Sequence, residues 1–332
     1  MSKKTNKLRD LGERGLIRWF QDLITPYDKA LLSGMEDAVA VPLNDEAIIA
    51  NSDMLVGSTD VLPGMSASEI AWKAGVMGLS DLAAKGAIPL GVIFSLGLPT
   101  DTEANFVAAI VGGLNYVCRE HDTYYLGGDT NQCLDLVIDC TAIGKVPRNQ
   151  ILRRSGAKPG DLIATTGNFG YTGALFEALL RGYSEPAGLV AQIREPALHP
   201  KARLKEGQIL AQSGFVSASI DSSDGLAWSL YELSSASRVG FQLDYLPIPE
   251  ICEKFASAND LDPVDLALYG GEEFELIVTM APEKWNEVET KVQQVGGSLI
   301  RIGSILEEPE KVLRIDGKEK PIEPKGYEHF SD

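Results

Sequence analysis

The chain is poor in the residues and motifs that most familiar active sites need. Its 332 residues include only four cysteines and three histidines. Cys118, Cys133, Cys140 and Cys252 fall at no metal-like spacing and form no Cys-x-x-Cys pair, which argues against a thiolate metal site or a redox dithiol and for reduced thiols in a cytoplasm. There is no Gly-x-x-x-x-Gly-Lys-Ser/Thr phosphate loop, no Gly-x-Ser-x-Gly, no His-Glu-x-x-His, and no Gly-x-Gly-x-x-Gly after a strand. P-loop nucleotide binding, serine hydrolysis, zincin proteolysis and dinucleotide binding all lose support. No apolar run approaches the ~20 residues of a membrane span. The N-terminal segment is too polar for a signal peptide, so a cytoplasmic protein without a membrane partner is expected.

Positive charge is scarce too. Thirty Lys and Arg against 47 Asp and Glu leave a formal net charge of −17. Such a chain repels nucleic acid and anionic membranes at long range. Anionic substrates would need local devices, and bridging cations are the obvious one. Much of the acidity also serves as a solvated, solubilising surface.

What is present is an alternation of helix and strand, which places the chain in the α/β (α+β) class. Apolar spacing predicts a lead helix over residues 9–24. Two short strands, 38–42 and 47–51, flank an Asn-Asp turn. Ser66, followed three residues later by Glu69, predicts a capped helix running to about Lys85. Strand 90–96, helix 102–121 and strand 134–146 follow. A polar, basic stretch near residue 150 divides the chain into residues 1–149 and 150–332. Further strands are expected at 162–166, 218–221 and 274–280, with helices at 174–180 and from Gly225 onward.

The candidate chemistry lies in aspartates beside glycine or small hydroxyl residues at the ends of apolar segments: Asp37, Ser52-Asp53, Asp129, Asp221 and Ser223-Asp224. Carboxylate and hydroxyl oxygens suit Mg²⁺, which substrate phosphates commonly complete. Close carboxylate pairs without a cation repel by about 4 kcal/mol at an effective dielectric near 20, so a convergent cluster would imply metal. Each position has a plainer reading. Asp221 and Asp224 suit a helix N-terminus equally well. Glu69, Lys73, Asp81 and Lys85 share one four-residue row of the predicted helix, as a solvated stripe of ion pairs would. Arg153-Arg154 fit a solvated turn or, beside Gly156 and Lys158, a phosphate clamp. Asp129 resists dismissal, because Gly127-Gly128 lets the backbone approach a ligand closely; Glu272 after Gly270-Gly271 follows the same logic.

These residues carry a resemblance that spans nearly the whole chain. Glu36-Asp37-Ala38-Val39, Ser52-Asp53-Met54-Leu55-Val56, Ser80-Asp81-Leu82 through Gly86-Ala87, and Gly127-Gly128-Asp129-Thr130 occur in order in the first half. Arg154-Ser155-Gly156, Asp221-Ser222-Ser223-Asp224-Gly225, Gly270-Gly271-Glu272-Glu273 and Lys325-Gly326-Tyr327-Glu328 follow in the second. The set resembles the thiamine-monophosphate kinases, within the superfamily of aminoimidazole ribonucleotide synthetase and selenophosphate synthetase. The resemblance implies a two-domain fold, the N-terminal mixed sheet pairing across a homodimer and the α/β C-terminal domain closing a cleft. It implies transfer of phosphate from ATP, as co-substrate, to thiamine monophosphate, with several Mg²⁺ ions and no covalent or general-base residue. By position, Asp37, Ser52, Asp53, Asp81, Asp129, Asp221 and Asp224 would hold metal. Gly128, Asp129, Arg154 and Ser223 would contact ATP; Asp60, Glu272 and Tyr327 would lie near the thiamine end. Three departures stand out: Met35-Glu36 replaces the family's Gly-Asp, Asp60 stands where the family has histidine, and Gly-Gly-Glu-Asp has become Gly-Gly-Glu-Glu. A cyclo-ligase or another small-phosphate kinase of the superfamily, or a non-catalytic nucleotide- or thiamine-binding protein, are the competing readings.

Overall fold

The computed structural model describes residues 7–34, 36–183, 186–315 and 317–330, so Met35 lies outside the described residues. Helix α1 (Gly12–Gln21) precedes a hairpin of β1 (Val39–Leu43) and β2 (Glu46–Val56), turned at Asn44 in the left-handed region at φ 53°. The short α2 (Gly57–Asp60) leads to α3 (Ala67–Ala84), then β3 (Ile88–Leu98), α4 (Ala104–Glu120), β4 (Tyr125–Gly127), β5 (Thr130–Gln132) and β6 (Val137–Pro147). The first sheet runs β1-β2-β6-β3-β4, with β5 also paired to β3. Its β2–β6 and β3–β6 pairs are antiparallel and β3–β4 is parallel.

The second half contributes β7 (Leu162–Thr165), α5 (Tyr171–Leu180), α6 (Ala187–Leu198), α7 (Leu204–Ser213), β8 (Val216–Asp221), α8 (Leu226–Ser237) and β9 (Gly240–Leu243). It closes with α9 (Glu250–Ala258), α10 (Pro263–Tyr269), β10 (Leu276–Met280), α11 (Trp285–Gln294), β11 (Ile300–Leu306), β12 (Lys311–Ile315) and β13 (Lys318–Pro321). Its sheet runs β13-β12-β9-β11-β7-β10-β8, again of mixed direction. The expected two-sheet α/β architecture is what the chain adopts.

Helix α3 is the hinge of the architecture. It starts as its sequence predicts: the Ser66 hydroxyl accepts the Glu69 N–H and the Glu69 carboxylate accepts the Ser66 N–H at 2.6 Å. Its apolar residues then pack in two directions within one continuous core. Ala74, Leu79 and Leu82 share that core with Phe94, Ile138 and Cys140 of the first sheet and with Leu276, Val278 and Met280 of the second. Covered on both sides, the helix has little free surface, and the solvated stripe expected of its charged row does not exist. Lys73 is 5% exposed and Lys85 0%. Both lysines must therefore find ionic partners inside the protein, because an unpaired buried charge is very costly.

The opposite face of the first sheet is open. Strand alternation sends Ala47, Ile49 and Leu55 into the core and leaves Val39, Val41, Leu43 and Met54 exposed on the other side.

Candidate functional site

Four of the expected aspartates converge where α3 crosses between the sheets. Asp37 lies just before β1, Asp53 on the core-facing side of β2, Asp81 on α3, and Asp221 at the last residue of β8. One carboxylate oxygen each from Asp37, Asp81 and Asp221 lies within 4.8 Å of the others. Asp53 is hydrogen-bonded to Asp81 and accepts the Asn51 amide at 2.8 Å. The Ser80 hydroxyl donates to Asp221 at 2.6 Å. Neither Asp221 nor Asp224 caps α8: the residue preceding that helix is Gly225, without a side-chain cap.

Charge is distributed unevenly in this cluster. Burial pushes the Asp53 carboxyl up to about 6, and Asp139 and Asp37 push the same way. Burial and then Asp37 raise Asp221 to about 7, against the pull of Ser80 and Arg154. Asp81 is raised well above its ordinary value by burial, then by Asp53, Asp221 and Asp37. Asp37 behaves oppositely. Burial would raise it, but the Lys85 ammonium at 2.6 Å and the Arg154 guanidinium at 2.7 Å together hold it below the usual carboxylate range. Arg154 continues the series to Glu232 at 2.5 Å, and Arg14 of α1 reaches Asp224 at 2.8 Å. Arg14 also lies over the Trp228 ring, 3.8 Å from its centroid. Arg154 is thus part of the site and no solvated turn residue, whereas Arg153 donates to the Leu31 carbonyl at 2.8 Å.

A second acidic group forms beside the first. Burial raises the Tyr327 phenol, with Asp60 and Glu272 the next causes, which marks the three expected thiamine-end residues as neighbours. Lys73 pairs with Glu272 and donates to the Asp60 carbonyl at 2.5 Å. The Asp60 carboxylate accepts the Val56 N–H at 2.6 Å, so it closes the turn of α2. Glu272 and Phe274 hold left-handed backbone at φ 66° and 53°, conformations that cost of order 1–3 kcal/mol each and concentrate at ligand sites.

Residues 35–146 match the AIR synthase related protein N-terminal domain and residues 158–316 the C-terminal domain of the same name. Thiamine-monophosphate kinase of Pyrococcus horikoshii is 34% identical over 322 residues, covering 96% of each chain. The chain belongs to the thiamine-monophosphate kinase family. The member from Synechococcus elongatus is 32% identical, with 98% of each chain covered. The solved structure of AaThiL complexed with AMPPCP and TMP superposes with a TM-score of 0.85 at 26% identity, covering 98% of this chain and 100% of that one. Hydrogenase maturation protein HypE in complex with ATP shares the fold at a TM-score of 0.67 and 20% identity.

Not every residue assigned by the family pattern reaches the cluster. Ser52 follows strand alternation onto the open face of the first sheet, opposite Asp53, where it donates to Asp139 at 2.7 Å and meets Thr141 at 3.0 Å. Asp129 is exposed and its carboxylate accepts its neighbour Thr130 N–H at 2.8 Å. Gly128 has a packing reason beyond ligand approach: a Cβ there would sit 1.6 Å from the Phe94 carbonyl oxygen. Ser223 lines a cavity of about 170 Å³ together with Arg14, Arg154, Asp221 and Asp224. A larger cavity of about 710 Å³, walled by Trp72, Tyr116, Tyr171 and Arg203, shares none of the aspartates.

Lys73, Lys85 and Ser80, named from the sequence without a site role of their own, and Asn51, Glu232 and Arg14, not named there, are drawn into the two acidic groups. For Ser52 the alternation of β2 was the available signal, since adjacent strand residues face opposite ways. For the two lysines the only signal was their spacing, which reads as a surface row until a second sheet covers the helix.

Proposed function

We propose that this chain transfers the terminal phosphoryl group of ATP to the phosphate of thiamine monophosphate, yielding ADP and thiamine diphosphate. The observation that carries this reading is the shared aspartate cluster, in which Asp53, Asp81 and Asp221 lie together and the neutral Asn51 and Ser80 donate to Asp53 and Asp221. Closely set hard oxygens short of counter-charge fit Mg²⁺. Divalent ions held there would neutralise two mutually repelling polyanions and align an in-line transfer. The acceptor is a phosphate oxygen, already anionic at neutral pH, so the protein needs no nucleophile or general base. Its own task is to bind, orient and screen.

On this reading Asp37, Asp53, Asp81, Asp221 and Asp224 serve the metal-bearing side of the cleft, with Arg154 and Ser223 toward ATP. Gly128 and Asp129, outside the cluster, would contact ATP, with Asp129 also a metal ligand, whereas Ser52, expected as a metal ligand, faces away from the cluster toward Asp139. Asp60, Glu272 and Tyr327 form the thiamine end, where a carboxylate-rich wall suits a cationic thiazolium ring. The exposed apolar residues of β1 and β2 support a homodimer through the open face. The four free cysteines are in keeping with a cytoplasmic protein, and among the described residues no helix is long and apolar enough to cross a membrane. Residues 1–149 and 150–332 would be the two domains.

The test is turnover of ATP and thiamine monophosphate with Mg²⁺ by the full chain. Asp53→Asn and Asp129→Asn should each lose about 10²–10³-fold in thiamine diphosphate formation, the equivalent of several kcal/mol of charge stabilisation, with folding intact by circular dichroism. Full activity in both variants, or release of inorganic phosphate without thiamine diphosphate as a ligase would give, rejects the proposal.

A further inference from the structure

Lys85 has the largest of the fully buried side chains, at 0% exposure, and it lies in the aspartate cluster. Its ammonium is 2.5 Å from Glu36 and 2.6 Å from Asp37. The same Glu36 oxygen accepts the Arg154 backbone N–H at 3.1 Å, and the other oxygen of Asp37 faces the Arg154 guanidinium at 2.7 Å. The ammonium is held by the end of α3 on one side and by the segment leading into β1 on the other, with no exposed stem along which to withdraw. Asp37 therefore meets two cations of the chain itself and Glu36 one, while among the described residues Asp53, Asp81 and Asp221 have no cation so close.

We propose that Lys85 is a resident cation of the catalytic cleft: its ammonium fills the place between Glu36 and Asp37 that a divalent ion would take, so the site holds one divalent ion fewer than its carboxylates could otherwise bind. The inference rests on the metal-dependent reading of the site given above. It assigns a purpose to Glu36, one of the departures from the family pattern, as the second anion that a buried ammonium needs. It makes Asp37 an ion-pair partner first, and leaves Asp53, Asp81 and Asp221 as the group that metal must balance. Lys85 is a positioning residue on this view, since it touches carboxylates and not the reacting phosphates.

The experiment counts Mn²⁺ ions bound per chain by the electron paramagnetic resonance signal of free Mn²⁺, with a non-hydrolysable ATP analogue present. It compares the wild-type chain with Lys85→Met and Lys85→Arg. Lys85→Met should bind one further Mn²⁺, and its unfolding temperature should rise more on Mn²⁺ addition than that of the wild type; Lys85→Arg should keep the wild-type count. If Lys85→Met does not fold, Lys85→Gln, which removes the charge, leaves both carboxylates in place and keeps a polar group against them, is read in the same way. An unchanged Mn²⁺ count in the folded variant overturns the role of Lys85 and leaves the metal-dependent reading standing. A wild-type chain that binds no Mn²⁺ overturns both.

Discussion

Asp221 and Glu275 stand at the same edge of the second sheet, where Asp221 of β8 pairs with Leu276, the neighbour of Glu275. Both are buried, yet they are held in contrasting ways. Glu275 has its own cation: Arg203 donates to it twice, once at 2.7 Å from Nε, and the Thr166 hydroxyl donates at 2.6 Å. Asp221 has one neutral donor, Ser80, and shares its surroundings with Asp37, Asp53 and Asp81. A carboxylate with a dedicated cation is part of the scaffold; removing its partner leaves a buried charge alone. Carboxylates that share too few donors work against the empty fold and gain from any cation that arrives. Acidity alone does not mark a site, then. The ratio of buried acids to the cations assigned to them does.

The widest separation between the two regions should come from truncating each. Arg203→Ala strands Glu275 and should lower unfolding free energy by about 3 kcal/mol in urea denaturation, the low end for a broken buried pair because Arg203 keeps some exposure. Asp221→Asn removes a repelling charge, and the metal-free chain should be as stable as the wild type or more so. Equal destabilisation by both would erase the distinction. A smaller effect is expected from Ser80→Ala, which removes the hydroxyl that orients Asp221. Mn²⁺ affinity should fall about 10–100-fold, the usual cost of losing a group that holds a metal ligand, while the Glu275 corner is unaffected. Unchanged affinity would mean that Asp221 needs no such support.

The gentlest test is pH. Asp53 and Asp221 titrate near 6 and 7 in the folded chain and near 3.8 when free. The folded state therefore binds more protons than the unfolded one across that window, and metal-free stability falls as pH rises from about 4 to about 7. The slope is at most about 1.4 kcal/mol per pH unit for each group. Asp37, lowered by Lys85 and Arg154, acts in the opposite sense, and its contribution is lost as pH falls through the acid range. Saturating Mn²⁺ should flatten the rise-linked loss. A metal-free melting temperature that climbs between pH 5 and pH 8 would contradict the assignment.

Much of this was readable in the chain itself. The capping box at Ser66 and Glu69, the β1–β2 hairpin at its Asn-Asp turn, and the alternation along β2 are set by residues a few positions apart. Near-neighbour sterics and hydrogen bonding decide them without help. The aspartate motifs, in order, named the family and its chemistry. The charged row of α3 left two readings open for a definite reason: a four-residue repeat of charges on a helix looks the same whether water or a second sheet lies over it.

Local sequence thus placed elements such as the capped α3 and the β1–β2 hairpin, and pointed to the aspartates as candidate oxygen ligands. Only the tertiary structure decided that Asp37, Asp81 and Asp221 meet within one cluster, that Ser52 turns away from them, and that Lys73 and Lys85 are buried as counter-ions. Contacts between residues far apart in the chain depend on how two sheets close over one helix, and the electrostatic worth of each charge depends on the water that this closure removes.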